Sequence, residues 1–298
     1  MDYLELCEVY EKLEKTSKRL EKTDTVSKLI EKTPAEDLDT VSLLLQGRVF
    51  PPWDERKIGF AARTVVKAIN QATGVSVSEI EKEFNKTGDL GVVAFELSSS
   101  RRQATLLYKK LTVKKVFENI QKLASLEGAG TVSNKINLVV ELLTSAKPLE
   151  AKYIIRTLLE ELRVGVGQGS LRDAIVWAFF SKGMWKYDEK ENNIVFTSES
   201  SRKDYNEITD KVQHAIDMSS DLGAVAKAAK KGLKELESIV MQPLHPIKVM
   251  LSLRVKTIEE GFKAVGSPAE FEYKLDGFRM QVHKKGREII ILQDAWKM

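Results

Sequence analysis

A lysine flanked by carboxylates, Glu272-Tyr273-Lys274-Leu275-Asp276, runs into Gly277 near the end of the sequence. Phe271, Tyr273 and Leu275 alternate with Glu272, Lys274 and Asp276, and Phe278, Met280 and Val282 resume the alternation after Asp276-Gly277. A period of two predicts half-buried strands, here a hairpin-like pair around an Asp-Gly turn. Glu272, Lys274 and Asp276 would then share one face. Such a row is either a solvent-facing, salt-bridged surface or a set of groups placed for chemistry, and the pattern leaves both open. Two further stretches, "EGAGTVSNK" (127–135) and "RVGVGQGS" (163–170), pair glycines with hydroxyls or an arginine before a predicted helix start. Backbone amides at such a start can hold a phosphate, although each stretch also reads as an ordinary loop. The second is not a nucleotide loop, because no strand precedes it and the G-x-G-x-x-G and G-K-[ST] spacings are missing.

The elements that must position these groups are helical from residue 2 to about 238. Tyr3, Leu6, Val9, Tyr10 and Leu13 form one apolar stripe at three- and four-residue spacing. Short helices are predicted over Thr25–Lys32 and Asp37–Gln46, the second closed by Gly47. "VFPPWDERK" is a turn by its two prolines, and a helix carrying Ala61, Val65, Val66 and Ile69 follows. Ser76 with Glu79 makes a capping box. Further helices follow Thr112, Thr131, Pro148 and Gly169, and "NNIVFTSE" is the one short strand in this region. Two segments repeat each other: "TGDLGVVAFEL" from Thr87 and "SSDLGAVAKAA" from Ser219. In each, an aspartate (Asp89 or Asp221) is placed to cap a helix N-terminus. Their separation is far longer than solenoid periods, so a two-lobed helical domain with approximate internal symmetry is expected. After Val240 the proline-containing "MQPLHPIKVMLSLRV" reads as a linker over 239–249, entering a strand-like unit at 250–298 that is too short for a complete α/β core.

Composition bounds the function. In 298 residues, 43% hydrophobic and 30% charged, every apolar run is interrupted by charge, which excludes a membrane-spanning helix. The acidic, amphipathic N-terminus is neither a signal nor a transit peptide. One cysteine, Cys7, excludes an internal disulfide, and three scattered histidines leave no zinc constellation, so a cytoplasmic setting is expected. The net charge of +4 is too small to imply a nucleic-acid partner by itself. Its distribution says more: "SSSRRQATLLYKKLTVKK" (98–115) and "AKAAKKGLK" (226–234) concentrate Lys and Arg. With the glycine-rich helix starts, these clusters point to binding of the duplex DNA backbone without sequence readout.

"EYKLDGFR" resembles the nucleotidyl-transferase motif K-x-D-G, with Glu272 two residues before Lys274 and Arg279 five after it. "TGDLG", "LTVKKVFENI", "AKPLEAKYIIRTLL", "LRVGVGQGSLRDAI" and "PIKVMLS" resemble archaeal ATP-dependent DNA ligases, in the family's order and over nearly the whole chain. The resemblance implies a mainly α protein: a two-lobed helical DNA-binding domain (1–238) followed by the first β-strands of an adenylation domain. It implies sealing of 5′-phosphate/3′-hydroxyl nicks in replication, repair and recombination. RNA ligases and capping enzymes share K-x-D-G but lack this helical domain.

The resemblance assigns Lys274 to attack on the α-phosphate of ATP, carrying AMP as a phosphoramidate, with Glu272 on the adenine, Arg279 on the ribose and Mg²⁺ required. A free lysine has a pKa near ~10.4, so about one in a thousand or fewer is nucleophilic at neutral pH. Glu272 and Asp276 would raise that value further if both lay beside the amine, so a bound divalent metal and partial desolvation must outweigh them. Expected DNA contacts are Gly128, Gly130, Thr131, Ser133, Arg163, Gly165, Gly167 and Ser170. Gln103, Leu106 and Leu107 stand where relatives carry a sliding-clamp motif, with leucines in place of the aromatic residues. One departure is Gln293-Asp294, where the family has basic residues that hold the nucleotide. The sequence therefore reads as a ligase N-terminal portion acting as a monomer. The rival reading is a non-catalytic fragment that binds DNA and the clamp.

Overall fold

The computed structural model describes residues 1–54, 56–99, 110–126, 130–247, 254–273, 275–277 and 279–293. Helices come first: α1 (Tyr3–Lys15), α2 (Arg19–Lys32), α3 (Leu38–Leu45), α4 (Ala62–Thr73), α5 (Val77–Thr87), α6 (Leu90–Ser99), α7 (Val113–Ser125), α8 (Thr131–Ser145), α9 (Pro148–Leu158) and α10 (Gln168–Phe180). A hairpin of β1 (Trp185–Asp188) and β2 (Asn193–Phe196) follows, then α11 (Glu199–Ser219), α12 (Leu222–Lys231), α13 (Leu233–Glu237) and α14 (Ile258–Val265). The strands β3 (Met280–Lys285) and β4 (Glu288–Gln293) pair antiparallel. The expected strand in "NNIVFTSE" is β2.

The helices form two groups. One packs α6 on α9 and α4 on α8; the other packs α2 on α10 and α3 on α12. Helix α1 joins them, touching α2, α7 and α9, and its Tyr3, Leu6, Cys7, Tyr10 and Leu13 are all buried. At roughly 1.5–3 kcal/mol per buried large apolar side chain, this stripe rather than helix propensity holds α1 in place.

The repeated Asp-Leu-Gly segments open α6 and α12 as expected. Asp89 Oδ1 accepts from the amides of Gly91 (2.8 Å) and Val92 (3.3 Å), and Asp221 Oδ1 from those of Gly223 (2.9 Å) and Ala224 (3.0 Å). The glycines have their own reason. A Cβ on Gly91 would stand 2.7 Å from the Lys152 carbonyl oxygen of α9, and one on Gly223 would stand 2.6 Å from Asp39 Cα of α3. Each lobe thus repeats one device: a capped helix start pressed against a partner backbone. Ser76 accepts from the Glu79 amide, which is half of the expected capping box.

One expectation fails. The described hairpin of the last unit turns at Gly286-Arg287, with Lys285 opposite Glu288, and not at Asp276-Gly277. Among the described residues of 270–277 there is no strand. Alternation in sequence needs a partner ladder and a layer to pack upon. Phe271 (78% exposed), Tyr273 (95%) and Leu275 (86%) have neither here, beyond a ring contact from Phe271 to Phe262 of α14.

Candidate functional site

The chain passes between the two lobes at two connections, from α3 to α4 (46–61) and from α9 to α10 (159–167). These connections touch. Gly47, at φ +69°, lies against Leu162, where an added Cβ would meet the leucine Cβ at 2.9 Å. Arg163 then holds φ +59° and Gly165 φ +64°. The left-handed conformation suits glycine but costs an arginine of order 1–3 kcal/mol, so its surroundings must enforce it.

Charged side chains supply that enforcement. Lys22 of α2 donates to the carbonyls of Val164 (2.7 Å) and Gly165 (3.2 Å). Arg163 donates to Asp89 (3.4 Å) and Glu161 (2.5 Å). Asp89 Oδ2 also accepts from buried Arg156 through Nε (3.1 Å) and Nη2 (2.8 Å). Arg156 in turn pairs with Glu14 of α1 at 3.0 Å through both Nη1 and Nη2. Lys152 and the Tyr153 hydroxyl also donate to Glu14. Burial alone would raise the Glu14 pKa, but the hydrogen bonds from Arg156, Lys152 and Tyr153, with the Arg156 charge, hold it down to about 2.

The other connection adds cations that the sequence reading missed, having taken "VFPPWDERK" only as a turn. Arg48, Arg56 and Lys57 are exposed on it. Arg56 pairs with Asp54 and stacks over Phe50 at 4.3 Å. Lys135 of α8 donates to the Ile58 carbonyl at 3.3 Å. The start of α8 therefore lies beside 46–61, which itself touches 159–167. Through Lys135 the start of α8 thus borders the first connection, and through Gly47 that connection borders the second.

At the seam formed by these two connections, α8 and α10 begin at Gly130 and Gly167, which have no side chain to cap them. Gly130, Ser133, Arg163, Gly165 and Gly167 are exposed and Thr131 is half-buried, while Gly128 lies outside the described residues. Ser170 is largely buried, in the first turn of α10, a helix that packs on α2 and α11.

Among the described residues of the basic clusters, several cations have partners within the protein. Lys227 pairs with Asp39, Lys230 donates to the Thr33 carbonyl and Lys231 pairs with Glu235. Lys110 pairs with Asp2, Lys114 with Glu118 and Lys115 with Glu141. Much of this charge is spent on neighbouring helices. The cations at the seam belong instead to the two connections.

Glu272, Asp276 and Arg279 are exposed, and Lys274 lies outside the described residues. Gln103, Leu106 and Leu107 lie outside them too. Among the described residues, no three His, Cys, Asp or Glu side chains converge as a metal cage, and no helix is long and apolar enough to cross a membrane.

The family model described as DNA ligase N terminus matches residues 2–176, and the ATP dependent DNA ligase domain matches residues 249–293. The chain belongs to the DNA ligase family. The DNA ligase of Nanoarchaeum equitans is 38% identical over 97% of this chain and 46% of its own length. That of Methanothermobacter thermautotrophicus is 40% identical (97% and 47%), and that of Thermococcus onnurineus 36% identical (98% and 47%). The chain spans about half the length of the curated relatives it matches. The seam falls within the ligase N-terminal match, and the Lys274-x-Asp276-Gly277 run within the ATP-dependent ligase match.

Proposed function

We propose that this ligase chain serves the ATP-dependent sealing of 5′-phosphate/3′-hydroxyl nicks in duplex DNA, in replication, repair and recombination. The observation that carries the reading is the Lys274-x-Asp276-Gly277 run inside the ATP-dependent ligase match, joined to a ligase N-terminal domain. The helical lobes hold the duplex by its phosphates at the seam, through backbone amides and cations, which is binding without sequence preference. Lys274 attacks the α-phosphorus of ATP, forming a P–N bond as pyrophosphate leaves, and carries AMP. Glu272 meets the adenine and Arg279 the ribose. Mg²⁺, when bound with the triphosphate, would supply neutralisation of the charge on the transferring group.

A fusion of residues 1–298 to the remaining half of the Methanothermobacter thermautotrophicus DNA ligase tests this. Incubated with ATP and Mg²⁺, it should gain the mass of one AMP on Lys274 and seal nicked duplexes. Absence of the adduct in a folded fusion would sink the proposal.

The exposure of Phe271, Tyr273 and Leu275 favours a second reading, in which the 298 residues alone bind DNA and a sliding clamp without catalysis. Electrostatic stabilisation at a preorganised site is the main catalytic term in phosphoryl transfer, and an exposed segment does not preorganise one. The isolated chain should then bind duplexes while forming little adduct. Robust Lys274-dependent labelling of it would remove this second reading.

A further inference from the structure

Arg163 poses a question that duplex binding alone does not answer. It occupies φ +59°, a conformation glycine would hold with less strain, and its side chain is about half exposed. Contacts of the side chain and of the carbonyls that follow it hold the arginine there. Its guanidinium is tethered from below by Asp89 Oδ2 at 3.4 Å and the Gly88 carbonyl at 3.5 Å, and from the side by Glu161 at 2.5 Å. Asp89 cannot swing away. Its Oδ1 is committed to the α6 cap, and its Oδ2 accepts two hydrogen bonds from Arg156, which is itself anchored on Glu14.

The second Asp-Leu-Gly repeat provides an internal comparison. Asp221 makes the same cap, yet among the described residues no arginine pairs with it. Capping therefore does not require the arginines. The first copy carries something in addition.

From this geometry we infer that Asp89, braced by Arg156 and Glu14, is the positioning residue that aims Arg163 at a duplex phosphate. The inference rests on the reading that the seam binds DNA. Asp89 itself never touches the nucleic acid. It fixes one edge of the guanidinium, so the remaining N–H groups present a preset fork to phosphate oxygens. Glu161, exposed and two residues earlier in the sequence, holds Nη2 until the phosphate replaces it.

The test is fluorescence anisotropy of the 298-residue chain on a nicked duplex across a salt series. Arg163→Gln should reduce the slope of log affinity against log salt by about 1, the loss of one phosphate contact. Asp89→Asn keeps a capping oxygen but loses the charge, and should produce the same slope change. The double variant should be no worse than Arg163→Gln alone, because both remove one interaction. Asp221→Asn should leave the slope unchanged. Additive losses in the double variant, or a parental slope in Asp89→Asn, would overturn the positioning role. If Asp89→Asn melts too low for use, the surface variant Arg163→Lys decides. It keeps the charge without the fork, so the slope should hold while affinity falls several-fold at every salt concentration, and parental affinity there overturns the inference. A parent chain with no salt-dependent duplex binding would instead refute the underlying DNA reading.

Discussion

Gly91 sits so close to Lys152 that a Cβ on the glycine would stand 2.7 Å from the lysine carbonyl oxygen. The neighbour is backbone in the middle of α9, so it cannot rotate aside. Gly223 stands in the same relation to Asp39. Gly91→Ala and Gly223→Ala should each destabilise by about 1–3 kcal/mol through overpacking. The propensity gain from alanine is small in a first helical turn, where much of the backbone is already outside the hydrogen-bond ladder. Urea melts of residues 1–238 give the measurement. Either variant melting at or above the parent would contradict the close-packing account.

Arg156 is buried between two carboxylates, and that burial makes it a single point of failure. Arg156→Met should cost about 3 kcal/mol, the low end for breaking a buried pair, because Lys152 still serves Glu14 and Arg163 still serves Asp89. An unchanged urea midpoint would show that the pair contributes nothing net.

Acid should act through Glu14. Its folded pKa is depressed to about 2, so its stabilising contribution is complete above its ordinary value of 4.5 and is lost as pH falls toward 2. In thermal melts across that window, the parent should lose stability more steeply than Glu14→Gln. Parallel pH profiles would assign the acid sensitivity elsewhere.

Within the fusion to a relative's remaining half, Lys274→Ala should abolish the AMP adduct. Lys274→Arg should abolish it as well, since a guanidinium stays protonated and offers no lone pair to phosphorus. A labelled Lys274→Arg protein would mean that another residue carries the nucleotide.

Clamp recruitment can be examined without catalysis. Gln103, Leu106 and Leu107 lie between Arg101-Arg102 and Lys109-Lys110 in sequence, a setting that favours exposure. The double variant Leu106→Ala/Leu107→Ala should lose capture by an archaeal sliding clamp in a pull-down while keeping duplex binding. Undiminished capture would remove the clamp proposal.

What the sequence by itself determined was local. The apolar stripe of α1 and the caps at Asp89 and Asp221 depend on residues three or four apart, so spacing reveals them, whereas the helices expected after Thr131 and Gly169 begin slightly earlier, at Thr131 and Gln168. The K-x-D-G run and the ordered ligase segments were legible for the same reason, as short contiguous strings. Tertiary structure decided the rest. Arg156 reads in sequence as one more charge on an amphipathic helix. Only packing brings Glu14, 142 positions away, and Asp89, 67 away, onto its guanidinium. Lys227 and Lys230 read in sequence as members of a basic cluster, and only folding sets Asp39 and the Thr33 carbonyl against them. The period-two pattern at 271–275 predicted a strand that its described residues do not form, because alternation also needs a partner ladder that spacing does not supply. The contact of Gly47 with Leu162, which joins the two connections into one seam, is likewise long-range. Its cause is the close approach of two lobes, and no spacing rule within either segment encodes that.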